Sequence, residues 1–198
     1  MAMSKSTKRK KANQGFTLME TMFAIVILSV GLLSLAALLS KMTSSTEQSR
    51  YMSMAAVLAS EKLEDLNRYP AADPAMTVTG ASAGSLSADT TATVGGETVA
   101  YYDKVMMSAG NGSVSQTIRA ETTGGTVYKT LTHTPNGLVT PTQSSTIPAN
   151  TPDLVQFNRR WLIEKDVPVT GVRRVTVRIT LQSPVGPTVN FQMSTVRP

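Results

Sequence analysis

The chain has 198 residues, of which 41% are hydrophobic and 16% are charged. This length and composition suit one compact domain with an appended element, and they exclude a wholly disordered chain. The chain contains no cysteine, which excludes disulfides, thiol nucleophiles and cysteine metal sites.

The net charge of +6 is concentrated at the N-terminus. Five of the 19 Lys and Arg residues lie within residues 1–15, and none of the 13 Asp and Glu residues does. The remaining 14 basic and 13 acidic residues leave a net charge of +1 for residues 16–198. Because basic clusters beside a membrane segment stay on the cytoplasmic side, this excess charge indicates membrane orientation rather than a nucleic-acid-binding surface.

An uncharged apolar segment runs from Thr21 to Ser40, between Glu20 and Lys41. A helix of that length spans roughly 30 Å, the thickness of a bilayer's hydrocarbon core. The segment therefore predicts a membrane-spanning helix. A secretory signal would carry a small-residue cleavage site after this segment, but here Lys41 follows Ser40. The small residue Gly15 lies before the segment instead.

The junction between the basic and apolar segments, residues 10–20, reads Lys-Lys-Ala-Asn-Gln-Gly-Phe-Thr-Leu-Met-Glu. It resembles the cleavage motif of type IV prepilins and type II secretion pseudopilins. This resemblance implies cleavage between Gly15 and Phe16 by a prepilin peptidase, followed by N-methylation of Phe16. It also implies a role for Glu20 in subunit packing and recruitment.

A physical argument for Glu20 stands beside the resemblance. Cleavage would leave a charged amine on Phe16 next to apolar surface. A carboxylate at Glu20 could neutralise that amine in a neighbouring subunit, because an unpaired charge in hydrocarbon is far more costly than a paired one. The alternative is that Glu20 marks the interfacial end of a signal-anchor helix.

Helical periodicity continues beyond Lys41 as one apolar stripe, formed by Met52, Ala56, Ala59, Leu63 and Leu66. Pro70 and Pro74 end the pattern, which predicts one helix from about Thr17 to Tyr69. Its amphipathic second half needs a partner surface, for which a sheet of the same chain is expected. A juxtamembrane coiled coil is the alternative.

Two segments of this helix narrow the resemblance. Residues 29–36 read Ser-Val-Gly-Leu-Leu-Ser-Leu-Ala, and residues 55–64 read Ala-Ala-Val-Leu-Ala-Ser-Glu-Lys-Leu-Glu. Both resemble the minor pilins of the PilV type and the related I-type pseudopilin. The resemblance implies a structural minor pilin subunit, with a pseudopilin of a type II secretion system as the alternative.

The rest of the chain predicts a β-rich head. Residues 71–97 and 134–152 are rich in small and polar residues and read as loops. Strand-like runs cover 98–107, 114–121 and 127–132, and strict apolar–polar alternation covers 157–164, 174–181 and 189–194. The predicted fold class is therefore α+β, with the long N-terminal helix packed on a C-terminal antiparallel sheet. The resemblance implies that this is the type IV pilin fold.

No pattern in the sequence predicts a catalytic, metal or cofactor site. His133 is the single histidine and is interpreted as a solvated strand residue. One cluster of basic residues outside the leader could form a phosphate-binding patch. The favoured interpretation is that these are ordinary solvent-facing strand residues. No nucleic acid partner is expected. The cluster comprises Arg159, Arg160, Arg173, Arg174 and Arg178.

Together these features predict a non-enzymatic subunit in the cytoplasmic membrane, with its leader inside and its head in the periplasm, that later enters a pilus or pseudopilus. Its expected partners are other pilin subunits, prepilin peptidase, the pilus or secretion assembly platform and, before assembly, membrane lipid. A membrane-anchored periplasmic binding domain is the distant alternative. The predicted domains are the leader 1–15, the membrane or filament-core helix 16–40, the amphipathic helix 41–69, the linker 70–97 and the head 98–198.

Overall fold

The computed structural model describes residues 17–110, 112–148, 155–181 and 188–198. The chain divides into two compact units with the boundary between Ser44 and Ser45. One helix, α1, runs from Leu18 to Arg68 and so contributes to both units. The strands are β1 (Ser82–Gly84), β2 (Thr91–Val94), β3 (Glu97–Ala100), β4 (Tyr102–Gly110), β5 (Ser113–Thr122), β6 (Gly125–His133), β7 (Val139–Ser144), β8 (Val155–Lys165), β9 (Arg173–Leu181) and β10 (Val189–Arg197).

In the C-terminal unit, the strands form one large antiparallel sheet in the order β10-β9-β8-β4-β5-β6-β7. Strand β1 pairs with the end of β8 that extends past β4, and β2 and β3 form a separate hairpin. The second half of α1 packs on this sheet, so the predicted α+β fold class is confirmed. The arrangement is consistent with the type IV pilin fold.

The core lies between α1 and the central strands. The helix contributes a buried stripe formed by Ala55, Leu58, Ala59, Leu63 and Leu66. Strand β8 contributes Phe157 and Ile163, and both are fully buried. Every second residue of β9 from Val175 to Leu181 is buried on the same side, as the alternation of the sequence predicts.

The helix stripe differs from the predicted one in its first half. Met52 is 37% exposed and Ala56 is only half-buried, whereas Leu58 is buried. The buried face of the helix is shifted toward Leu58 and Tyr51. The Tyr51 ring packs edge-on against the Phe157 ring, with 6.5 Å between the ring centroids. Larger side chains on that flank bury more apolar surface than Ala56 can.

The predicted strand over 98–107 is divided at Tyr101. The Tyr101 N–H donates to the Thr90 carbonyl at 2.9 Å, and the Tyr101 carbonyl accepts from the Trp161 N–H at 3.0 Å. These two bonds turn the backbone between β3 and β4. Tyr101 itself is 2% exposed, so its ring is part of the core.

The segments predicted as loops contain short elements. Residues 70–97 hold the 3-10 helix Pro74–Met76 and the strands β1 and β2, and residues 134–152 hold β7. These strands have three to six residues, and in β7 almost every side chain is exposed. A strand that buries no face, such as β7, shows no apolar alternation, so the sequence carries little signal for it.

The end of α1 is held by the C-terminal strand. Arg197 of β10 donates from Nη1 to the carbonyls of Leu66 at 3.2 Å and Tyr69 at 2.9 Å. Carbonyls at a helix C-terminus lack intrahelical partners and carry partial negative charge, so a guanidinium there satisfies both needs.

We expect Arg197→Ala to lower the free energy of unfolding by about 1 kcal/mol, because it removes this cap. The matched control is Arg68→Ala, in the last turn of the same helix, where the guanidinium pairs with exposed Glu64. That change should cost less than about 0.5 kcal/mol. Denaturant unfolding followed by the fluorescence of Trp161, the single tryptophan, measures both. Equal costs would contradict the capping role.

Candidate functional site

The N-terminal turn of α1 is capped by the residue before it. The Glu20 N–H donates to the carbonyl of Thr17 at 3.0 Å and to its Oγ1 at 3.3 Å. Thr17 and Glu20 thus have the spacing of a capping box, in which a hydroxyl accepts from the N–H three residues on. Glu20 also lies in the first helical turn, where a negative charge interacts favourably with the helix dipole.

Three hydroxyl groups of the apolar segment bond to the helix itself. Thr21, Ser29 and Ser34 donate from their side chains to carbonyls three or four residues earlier, at 2.8 to 2.9 Å. A hydroxyl without a partner would be costly in hydrocarbon, and these bonds remove that cost. The segment can therefore hold Ser and Thr and still remain apolar toward its surroundings.

The apolar side chains of this half of α1 are exposed on every side. Each large hydrophobic residue from Leu18 to Leu39 is at least 57% exposed. The helix is long and apolar enough to cross a membrane by length and composition. An exposed surface of this size and all-round apolarity needs lipid or other helices to cover it.

Of the three predicted site residues, Glu20 is the one that lies within the described part of the chain. Gly15 and Phe16 lie outside the described residues. Glu20 lies on the exposed surface of the first turn of α1, at the start of the uncharged segment. This position is compatible both with pairing to a neighbouring subunit and with the interfacial end of an anchor helix.

Residues 10–36 match the family model of the prokaryotic N-terminal methylation motif. The match spans the predicted cleavage junction and continues through most of the uncharged helix. No curated protein and no solved structure matches the chain in the same comparisons.

The N-terminal methylation motif supports a type IV pilin-like or pseudopilin-like protein that a prepilin peptidase processes. Pilin-like proteins with this motif are structural rather than enzymatic. With the apolar helix, the motif fits a single-pass protein anchored in the inner membrane. It also implies assembly with pilus machinery.

A second polar site, which the sequence analysis missed, lies inside the C-terminal unit. Arg159 of β8 donates to both carboxylate oxygens of Asp103 on β4, from Nε at 2.6 Å and from Nη2 at 2.8 Å. Both side chains are 3% exposed. Lys62 of α1 approaches the same carboxylate at 3.7 Å, and its Nζ lies 4.3 Å from the centre of the Trp161 ring.

This buried pair connects the helix to the sheet. Arg159 also donates to the Leu58 carbonyl at 3.5 Å, and Gln116 of β5 donates to the Glu61 carboxylate at 3.1 Å. Burial acts to lower the pKa of Arg159, but the charge of Asp103 and its hydrogen bonds outweigh burial and raise that pKa. The guanidinium therefore stays charged.

The acidic residues in the last turns of α1 do not form a uniformly solvated face. Glu64 and Arg68 do pair in solvent at 2.7 Å. Glu61 and Lys62, in contrast, face the sheet and are half-buried. A lysine can reach the sheet because its four-carbon stem packs on an aromatic ring while the ammonium finds carboxylates.

The arginines for which a phosphate-binding patch was the alternative interpretation have partners within the chain. Arg160 donates to Asp89 at 2.7 Å, and Arg174 forms two hydrogen bonds with Glu164. Hydrogen bonding by Arg174 lowers the pKa of Glu164. Arg159 lies on the opposite side of the sheet, in the buried pair.

The remaining two arginines of that group bind protein oxygens. Arg178 donates to the Asn190 side chain at 2.9 Å, and Arg173 donates to the carbonyls of Ala71 and Met76. Guanidinium groups that already have acceptors would have to exchange them for phosphate. These contacts favour the interpretation as structural strand residues.

The C-terminal unit also has two clefts beside α1, of about 300 and 390 Å³, and Lys62 lines both of them. Eight of the ten residues lining the smaller cleft are charged. A small-molecule site is usually an apolar pocket with a few convergent polar groups, which this cleft does not resemble. Within the described ranges no group of three or more His, Asp or Glu residues could hold a metal ion, and His133 is exposed at the end of β6.

Proposed function

We propose that this chain is a minor pilin of the PilV type, cleaved between Gly15 and Phe16, N-methylated on Phe16, and built into a type IV pilus or used to prime its assembly. The observation that supports this most strongly is the match of residues 10–36 to the N-terminal methylation motif, directly followed by the rest of the exposed apolar helix. Residues 29–36 and 55–64 add the resemblance to PilV-type subunits.

The membrane step follows from where the charges lie. The leader carries five basic residues and stays in the cytoplasm, while the C-terminal unit enters the periplasm. Removal of the leader takes away most of the net positive charge. The same apolar surface of α1 can then leave lipid and pack against the helices of other subunits, because both surroundings are apolar.

Glu20 is the proposed recruitment residue. Its carboxylate lies on the exposed first turn of α1, four residues after the amine that cleavage would create on Phe16. Pairing between Glu20 of one subunit and the amine of the next would neutralise two charges in an apolar filament core.

The test of processing is Gly15→Val, expressed in cells that contain a prepilin peptidase. We expect the wild-type chain to begin at N-methylated Phe16 and the variant to retain residues 1–15, because a branched side chain replaces the small residue at the cleavage site. Intact-mass and N-terminal analysis measure this, with Ala12→Val as the leader control. If Gly15→Val still accumulates as a chain beginning at Phe16, the proposed processing is wrong.

Recruitment is tested separately with Glu20→Val. This variant should be cleaved normally but absent from sheared filaments, since the loss of its carboxylate leaves the neighbouring amine unpaired. Glu47→Val, farther along the exposed helix, is the control and should still enter filaments. Recovery of Glu20→Val in filaments at the wild-type level would overturn the recruitment role.

A pseudopilin of a type II secretion system would share this processing. The two functions differ in the subunits that copurify with the mature chain. Isolation of the chain with major pilin supports the pilus role, and isolation with secretion pseudopilins overturns it.

A further inference from the structure

The large sheet ends in two edge strands, β7 and β10, that differ in how well they could accept another strand. Strand β7 has six residues and contains Pro141, which lacks an N–H donor. Strand β10 has nine residues, and its stretch Val189–Thr195 contains no charge, proline or glycine. In the described part of the chain, β10 pairs only with β9. Natural proteins usually protect such an edge with charge, proline or a covering element.

The two faces of β10 continue the two faces of the sheet up to this edge. Phe191 and Met193 point to the helix side, pack against the core and remain half-buried. Asn190, Gln192 and Ser194 are exposed on the opposite side. A strand that covers the edge must therefore be apolar on one side and neutral and polar on the other, which is the pattern of β10 itself.

We propose that β10 pairs antiparallel with β10 of a second copy of this chain, about a twofold axis at Gln192. In this register Phe191 of each copy lies opposite Met193 of the other. A thioether beside an aromatic ring is a favourable contact. Asn190 lies opposite Ser194 of the second copy, so neutral polar groups meet on the other face. No charged residue enters the paired stretch from Val189 to Thr195.

The nearby arginines do not oppose this pairing. Arg178 of β9 lies opposite Gln192 in the register of the sheet. The two Arg178 residues would therefore be separated by three strand spacings, roughly 14 Å. That exceeds the screening length of roughly 8 Å at physiological salt, so their repulsion is weak.

The direction of the helix segment 45–68 determines how the two C-terminal units are oriented in the pair. Arg197, at the end of β10, donates to carbonyls at the end of α1. Tyr51, earlier in the helix, packs on Phe157. Phe157 pairs with the same residue of β9 as Val189, which starts β10. Residues 45–68 of the helix thus run in the same direction as β10. An antiparallel pair of strands points the two helices in opposite directions. The pairing therefore joins two C-terminal units whose helix segments 45–68 run antiparallel, and it goes beyond the subunit role proposed above.

The chain has no cysteine, so single cysteines report this interface directly. In the full chain in detergent, Gln192→Cys should form a disulfide-linked dimer in most molecules under mild oxidation. Directly opposed residues of antiparallel strands lie roughly 4.5–5.5 Å apart between Cα atoms, within the disulfide range. Thr142→Cys, exposed in the middle of β7, is the matched control and should give only background dimer. Equal dimer yields from the two variants would overturn the proposal.

The register is tested by mixing two further variants. Asn190→Cys and Ser194→Cys should crosslink with each other when mixed, whereas each alone should not, because identical residues lie four positions apart across the axis. Crosslinking of Asn190→Cys with itself at the level of the mixture would rule out this register.

A charge at the edge provides a readout without disulfides. Met193→Lys should abolish the dimer seen by light scattering, because it places an ammonium group opposite Phe191 of the second copy. Val139→Lys, on the helix side of β7, should leave the dimer unchanged. Thermal unfolding of both variants verifies that they fold. A wild-type chain that stays monomeric at all concentrations, or a Met193→Lys variant that still dimerises, refutes the pairing.

Discussion

Replacement of Arg159 with methionine is expected to destabilise the C-terminal unit by about 3–5 kcal/mol. The reason is the carboxylate of Asp103, which is 3% exposed and accepts two hydrogen bonds from Arg159. Methionine has a similar reach but no donor, so the carboxylate loses both bonds and stays away from water. Lys62, at 3.7 Å, is too distant for a short hydrogen bond to replace them.

The matched control is Arg160→Met, one residue farther along β8. Arg160 points to the other side of the sheet and pairs with Asp89, which is 37% exposed, so its loss should cost less than about 1 kcal/mol. Denaturant unfolding of the full chain in detergent, followed by Trp161 fluorescence, compares the two. Equal costs for the two variants would contradict the importance of burial.

A double variant separates the pair's net contribution from the cost of breaking it. Asp103→Leu combined with Arg159→Met removes both charges and leaves apolar side chains of similar size. Because a buried ion pair loses in desolvation much of what it gains in attraction, the double variant should recover most of the lost stability. A double variant as unstable as Arg159→Met would instead assign the stability to the pair itself.

The features that were predicted correctly depend on residues that are close together in the sequence. The uncharged segment from Thr21 to Ser40 predicts a helix by composition alone, and the structure continues it as α1 to Arg68, one residue short of the predicted end. The alternation of β8 and β9 likewise predicts which side chains face the core, and Trp161 and Val177 do so. The N-terminal methylation motif at residues 10–36 is equally local, and for that reason it is recognisable in the sequence.

The buried ion pair could not be predicted in the same way because it joins residues 56 positions apart. Alternation along β8 does place Arg159 on the inward side, between Phe157 and Trp161, and that signal was available. The proximity of Arg159 to Arg160 in the sequence indicates instead a single basic cluster. What the sequence did not contain was the order of strands in the sheet, which brings β4 beside β8 and Asp103 to Arg159.

The short strand β1 shows a different limit. Its three residues Ser82–Gly84 have no apolar alternation, and the strand forms because β8 extends past β4 and leaves an edge free. Its position therefore depends on a long-range contact rather than on its own composition. That contact places Gly84 against the backbone of Trp161.

Gly84→Ala is expected to lower the free energy of unfolding by about 2–5 kcal/mol, from two separate causes. Gly84 has a φ of +88°, where side chains other than hydrogen are strained, and a Cβ there would overlap the Trp161 carbonyl oxygen and lie 2.9 Å from the Tyr101 Cβ. The rigid backbone and a buried ring cannot move aside cheaply.

Gly96→Ala measures the cost of the backbone strain alone, without a steric overlap. Gly96, in the turn between β2 and β3, has the same φ of +88°, but nothing lies within 4 Å of its added Cβ. The control should therefore cost only the conformational strain, about 1–2 kcal/mol, and the excess at Gly84 measures the overlap with Trp161 and Tyr101. The unfolding free energies of the two variants, followed by Trp161 fluorescence, decide the matter. If they agree within about 0.5 kcal/mol, β1 can shift away from β8 without loss, and the close contact does not stabilise the sheet.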